Sequence, residues 1–248
     1  MKLIKNISGR FFAAWAIFIF ILSIFLVFIP LWVTGFYNEP KKTFAFYKIS
    51  RVWTNFLLLF FGCTLKIKGE ENFKKGENYI VISNHNSMMD ITMITPFIPG
   101  PNKTIAKAEI SKVPVFGAMS KRGSVIVDRK SKTSRMESFN KMKDVLKLGF
   151  HMAIYPEGTR NKTSQPLKEF HDGAFKLSFE TNKPIIPAIL FNTKRANPSD
   201  KAFFFWPTNL YLDFLPAVYP KDFGDYIQLK EYLFELMKTY YVTHLNHH

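Results

Sequence analysis

The sequence predicts an α/β fold: a mixed, largely parallel sheet flanked by helices, preceded by an N-terminal membrane helical hairpin. Three observations predict it. Residues 11–37 contain no charged side chain. After Leu65, short runs rich in β-branched and aromatic residues alternate with amphipathic stretches. Gly, Pro, Asn and Lys separate these runs, as turn residues do between strands and helices. The expected organisation is an anchoring hairpin over 1–64 and a catalytic-sized α/β domain over 65–248.

The hairpin comes first. The uncharged run holds 27 residues, among them Phe18, Ile19, Phe20, Ile21 and Leu22, and a helix needs only about 20 to cross the hydrocarbon. A cleaved signal peptide fits less well, since no small-residue cleavage site is evident and the run exceeds a usual h-region. A second uncharged run, Val52–Leu65, has 14 residues and is too short to span alone. Pro30, Trp32 and Gly35 near the end of the first run, and Pro40 beyond it, can break the helix. Lysines and arginines stand on both flanks, so charge alone does not choose an orientation. A hairpin with both ends on the cytoplasmic side reconciles these facts. A single span followed by an interfacial helix is the alternative.

Strands are expected at Leu65–Lys68, Tyr79–Ser83, Lys103–Lys107, Ser124–Asp128, Met152–Tyr155, Ile185–Leu190, Phe203–Trp206 and Tyr211–Leu215. Between them Lys132–Leu148 spaces Met136, Phe139, Met142, Val145 and Leu146 as a half-buried helix does. The stretch from Tyr226 repeats that pattern with Ile227, Leu229, Leu233, Leu236 and Met237.

Composition narrows the function classes. A formal net charge of +15 means attraction to polyanions: nucleic acid, an anionic membrane surface or phosphorylated substrates. Nucleic acid is disfavoured, because the aromatics are mostly Phe within apolar runs and no nucleic-acid motif appears. One cysteine, Cys63, excludes a disulfide scaffold. Six histidines without paired ligand spacing predict no metal site.

Chemistry is sought at the carboxyl ends of the strands, where ligands of such sheets gather. The second strand ends in Asn84-His85-Asn86-Ser87-Met88-Met89-Asp90. A turn of that length can fold the Asp90 carboxylate onto the His85 imidazole, fixing its tautomer and leaving the other nitrogen to take a proton from a hydroxyl. The plainer reading is a helix cap, with Ser87 or Asp90 satisfying free backbone donors. The fifth strand ends in Tyr155-Pro156-Glu157-Gly158-Thr159-Arg160. There Gly lets the backbone approach a ligand, and Arg can clasp a phosphate with two donors. Arg129 stands at the end of the fourth strand. Pro187 lies inside an apolar run, which usually marks an edge strand or a bulge.

These four blocks, in this order, resemble the glycerolipid acyltransferase family, and most closely its 1-acylglycerol-3-phosphate acyltransferases. The resemblance covers roughly Lys68 to Leu190. His85 through Asp90 is similar to the family's His-x4-Asp block. Lys107-Ala108-Glu109 through Pro114, Gly117, Gly123 and Val127-Asp128-Arg129 is similar to the second block. Pro156–Arg160 matches the third letter for letter, and Pro184–Pro187 resembles the fourth.

The resemblance implies transfer of a fatty acyl group from a thioester, acyl-CoA or acyl carrier protein, to the free hydroxyl of 1-acylglycerol 3-phosphate. The same site could serve another lysophospholipid, a lyso-ornithine lipid or glycerol 3-phosphate. It implies His85 as general base and Asp90 as its orienting partner. Lys107, Arg129, Glu157, Gly158, Thr159 and Arg160 would hold the glycerol phosphate, and Pro187 would shape the wall beside the acyl chain. No cofactor beyond the donor is implied. The partners are the membrane lipid, the donor and an anionic membrane surface, with the catalytic domain facing the cytoplasm. One departure stands out: the family's Phe-Lys-x-Gly is here Phe170-His171-Asp172-Gly173.

Overall fold

A computed structural model describes residues 2–113, 116–128 and 130–245. Pro114 and Arg129, named above, lie outside them, as do the last three residues.

Two helices open the chain: α1 (Lys2–Thr34) and α2 (Lys41–Phe60). The α/β part then runs β1 (Thr64–Lys68), β2 (Ile80–Ser83), α3 (Asp90–Ile94), β3 (Asn102–Lys107), α4 (Phe116–Gly123), β4 (Ser124–Val127), α5 (Lys132–Lys147) and β5 (His151–Ile154). It closes with α6 (Gly173–Thr181), β6 (Ile185–Phe191), α7 (Thr193–Ala196), β7 (Asn209–Phe214) and α8 (Tyr226–His244). The seven-stranded sheet has the order β1-β7-β6-β2-β5-β3-β4. Strands β6, β2, β5, β3 and β4 are mutually parallel, and β7 joins antiparallel to β6 with β1 parallel to β7. The carboxyl ends of five strands therefore share one edge.

Side-chain alternation divides the core between the sheet's two faces. Ile80, Ile82, Met152, Ile154, Ile185 and Ile189 pack beneath α5, α6 and α8. Tyr79, Val81, Ala153, Ile186, Ala188 and Leu190 face the other way, toward α3 and Ala13 and Ala16 of α1. The central strands β2, β5 and β6 are buried along their whole length because both faces are covered.

Four sequence expectations change. Pro30 lies inside α1 rather than ending it; the helix stops at Thr34, just before Gly35. The second helix begins at Lys41, so it carries Lys41, Lys42, Lys48 and Arg51 and is amphipathic where a purely apolar limb was expected. It packs along α1, with Trp53 Nε1 donating to Ser23 Oγ at 2.9 Å and Trp15 Nε1 to the Phe60 carbonyl at 2.8 Å. Phe203–Trp206 is not a strand. The Phe205 N–H donates to the Gly9 carbonyl of α1 and the Trp206 N–H to the Ala196 carbonyl, so Phe204 and Phe205 are buried without joining a ladder while Phe203 stays exposed. The apolar run holding Pro187 is an interior strand, between β2 and β7, and not an edge. The β7 ladder ends at Ala188–Phe214, one residue from the proline, whose missing N–H therefore leaves no rung unmade within it.

One buried histidine makes the scaffold pH-sensitive. His151 accepts from the Tyr79 N–H at Nδ1 (3.0 Å), and its Nε2 lies 3.0 Å from the Pro99 carbonyl. These partners call for a neutral ring, and burial lowers its pKa from 6.5 to about 4. Between those values the unfolded chain takes up the proton and the folded chain does not, so stability falls as pH drops from 6.5 toward 4. The full loss is about 3 kcal/mol. The melting temperature should decline across that window, and His151→Gln should flatten the decline.

Candidate active site

The site grows from the carboxyl end of β2. Asn84, fully buried, continues that strand's pairing with its side chain: Nδ2 donates to the Leu190 carbonyl at 2.9 Å, and the Leu190 N–H donates to Oδ1 at 2.8 Å. His85 follows at the point where the chain leaves the sheet. Five residues later α3 begins with Asp90, whose side chain is fully buried.

Asp90 Oδ2 lies 2.8 Å from His85 Nδ1. The same oxygen accepts the backbone N–H groups of Asn86 at 2.6 Å and Ser87 at 2.7 Å. Catalytic orientation and backbone capping, set apart as alternatives in the sequence, are thus performed by one oxygen. The two backbone donors fix the carboxylate independently of the imidazole. His85 keeps 14% side-chain exposure, and its Nε2 has no hydrogen-bond partner among the described residues. An oriented imidazole with one nitrogen open is the arrangement a general base requires.

The end of β5 lies beside β2 in the sheet and supplies the second half of the site. Glu157 is 1% exposed. Its Oε1 accepts the His85 N–H at 2.7 Å and its Oε2 the Lys168 N–H at 2.9 Å. The carboxylate expected to hold a phosphate is thus committed to two backbone donors, one of them on the catalytic histidine. Burial raises its pKa, and those two hydrogen bonds pull against the rise.

Gly158 has φ +68°, and a Cβ there would meet the His171 ring at 2.7 Å, so the position excludes a side chain twice over. His171, the departure from the family pattern, is packed on this glycine. The acid beside it, Asp172, pairs with Lys230 at 2.8 Å and Lys176 at 3.5 Å. Those two lysines hold its carboxyl below the usual range.

Thr159 Oγ1 accepts from Lys168 Nζ at 2.7 Å. Arg160 is half-buried and its guanidinium makes no hydrogen bond or ion pair among the described residues. The next residue, Asn161, donates its N–H to the His85 carbonyl at 2.6 Å, tying this loop to the catalytic turn. Lys107 ends β3, exposed, on the same edge of the sheet. Pro187 is buried in the sheet opposite Ile82. Among the described residues no cluster of three or more His, Cys, Asp or Glu side chains is placed to hold a metal ion.

Two tyrosines escaped the sequence reading. Tyr155 lays its ring against the His85 imidazole, with centroids 4.4 Å apart and planes 30° apart. Tyr241, on α8, stacks on Phe191 at 5.3 Å and lies near the Asn86 side chain. Burial raises its pKa, and the charges of Asp90 and Glu157 add to the rise. Only the stack on β6 and the reach of the last helix turn bring that tyrosine, 155 residues from Asn86, to the site.

Comparison with known proteins agrees with the geometry. A family model for acyltransferases matches residues 64–190, from the start of β1 to the end of β6. The 1-acyl-sn-glycerol-3-phosphate acyltransferase of Saccharomyces cerevisiae is 31% identical over 188 residues, covering 71% of this chain and 62% of the relative. A chloroplastic enzyme of the same name from Brassica napus is 30% identical, covering 70% and 52%. The chain thus spans about half to three-fifths of the length of these relatives. The fold matches the crystal structure of the 1-acyl-sn-glycerophosphate (LPA) acyltransferase from Thermotoga maritima with a TM-score of 0.83, at 23% identity and 96% coverage of both chains. With half of its length matched by the family model, and with the histidine, aspartate and Pro-Glu-Gly-Thr-Arg loop gathered at one sheet edge, the chain belongs to the acyltransferase family.

Proposed function

We propose that the protein transfers a fatty acyl group from acyl-CoA or acyl carrier protein to the free hydroxyl of 1-acylglycerol 3-phosphate, giving phosphatidic acid. The single observation that carries this reading is the 2.8 Å contact between His85 and a buried Asp90, with Nε2 left open. Nε2 takes the hydroxyl proton as the oxygen attacks the thioester carbonyl. The tetrahedral adduct then collapses, the C–S bond breaks, and the proton passes to the departing sulfur. Asp90 stabilises the imidazolium formed between these steps. Arg160, with Lys107 from the end of β3 and with Arg129 as the family resemblance implies, supplies the cations for the acceptor phosphate. Glu157 serves as a brace, holding the His85 backbone and the loop that carries Arg160. Cys63 takes no part, since it is buried near β1 as a small apolar residue and burial raises its thiol pKa.

The anchor agrees with a lipid acceptor. Residues Leu3–Thr34 form a helix long and apolar enough to cross a membrane, with mean hydropathy 2.9 over its most apolar 18 residues. Phe11, Phe18, Phe25, Leu26 and Ile29 on it are exposed. In this reading α1 enters the bilayer, the cationic first half of α2 meets anionic headgroups, and the catalytic domain works at the cytoplasmic surface.

The test is an assay of the purified protein in detergent. 1-Acylglycerol 3-phosphate, glycerol 3-phosphate, a lyso-ornithine lipid and a lysophosphatidylcholine are each offered with acyl-CoA and with acyl carrier protein. Phosphatidic acid should be the dominant product. Preference for any other acceptor by kcat/KM would overturn the assignment while leaving the family membership intact.

A further inference from the structure

Tyr155 is used by none of the steps above, yet it touches the base. Its ring meets the His85 imidazole at 4.4 Å on one side. The same residue also lines a pocket of about 180 Å³ with Ile105, Met142, Ile154, Gly158 and His171. It therefore stands as a partition between the imidazole and that pocket. The single hydrogen bond from Nδ1 to Asp90 fixes a point on the imidazole but not its plane, so the ring remains able to swing about that contact. A flat aromatic face against the imidazole removes this freedom. It also presents the negative face of a π system to the imidazolium formed during transfer.

The hydroxyl of Tyr155 contributes differently. It is buried and has no hydrogen-bond partner among the described residues. Burial raises its pKa well above the ordinary value, and the charge of Asp90 adds to this, so it remains neutral and takes no proton. An unpartnered buried hydroxyl destabilises a fold. The feature that makes the contact is the ring.

Resting on the assignment of His85 as base, we propose that Tyr155 is a positioning residue whose aromatic ring, and not its hydroxyl, fixes the plane of the His85 imidazole so that Nε2 faces the acceptor hydroxyl.

Two variants and two readouts test this. Tyr155→Leu keeps an apolar side chain but no aromatic face, whereas Tyr155→Phe keeps the face and removes the hydroxyl. Tyr155→Leu should lower kcat roughly 10- to 100-fold while the acceptor KM stays within about twofold, because only the reacting geometry is disturbed. Tyr155→Phe should restore kcat to within about twofold of the unmodified enzyme. The second readout needs no activity. In protein labelled with ¹³C-histidine in micelles, the His85 ring signal, identified by its loss in His85→Ala, should carry a ring-current shift that persists in Tyr155→Phe and disappears in Tyr155→Leu.

A Tyr155→Phe enzyme as slow as Tyr155→Leu would assign the role to the hydroxyl and overturn the proposal. So would full kcat in Tyr155→Leu, or a His85 signal that is the same in all three proteins. If the unmodified enzyme makes no phosphatidic acid, the functional reading falls by that result alone, and the histidine signal still decides whether the ring holds the imidazole.

Discussion

Replacing His85 with Ala is expected to lower kcat roughly 100-fold or more, with the melting temperature little changed. The side chain is partly exposed and its hydrogen bond to Asp90 is its only polar contact among the described residues, so its loss removes the proton acceptor without opening the core. Asp90→Asn should be nearly as damaging for kcat and worse for stability. Asp90 Oδ2 collects three donors, from His85, Asn86 and Ser87, and a neutral amide oxygen holds them less strongly. The two variants therefore separate: one loses rate alone, the other rate and the turn that shapes the site. Measuring kcat and thermal unfolding for both checks this, and a His85→Ala enzyme retaining more than about a tenth of the activity would remove His85 from the role of base.

The second large effect is expected at Arg160. The loop is tied down on both sides of it, by Thr159 with Lys168 and by Asn161 with the His85 carbonyl, while the guanidinium itself is left uncommitted. A charged fork held ready in this way suits the acceptor phosphate. Arg160→Ala should weaken acceptor use by roughly 2–4 kcal/mol in kcat/KM, the range for losing a charged hydrogen-bonding partner. Arg160→Lys, which keeps the charge and loses the planar fork, should fall between. The KM for the thioester donor should change much less in both. Equal losses for donor and acceptor would assign Arg160 to the donor or to the architecture of the loop.

How far these features were legible in the sequence depended on whether each was local. His85 and Asp90 are five residues apart and meet across a single turn, so spacing sufficed to pair them. Strands buried on both faces announced themselves as apolar runs with clear boundaries, and seven of the eight expected segments are strands. The eighth, Phe203–Trp206, has a strand's composition, but Phe204 and Phe205 are buried and the Phe205 N–H donates to the Gly9 carbonyl of α1, a contact no local pattern encodes. Pro187 misled in the same way. A proline inside an apolar run suggests an edge, and only the point at which the β7 ladder stops shows why an interior strand tolerates it. Glu157 was assigned to the substrate phosphate by the family resemblance. Its actual partners are the backbone N–H groups of His85 and Lys168, and which backbone donors a carboxylate meets is decided by the sheet order. Tyr155 and Tyr241 approach the dyad from β5 and from the last helix, and neither has a spacing relation to His85 that could have signalled it.

The central claim is that the His85–Asp90 dyad activates the acceptor hydroxyl for direct attack on the thioester. Free thiol released from acyl-CoA, followed with and without 1-acylglycerol 3-phosphate, tests it most directly. The account predicts thiol release that depends on the acceptor and equals the phosphatidic acid formed, mole for mole. A stoichiometric burst of thiol before acceptor is added, with the acyl group recovered on the protein, would contradict it.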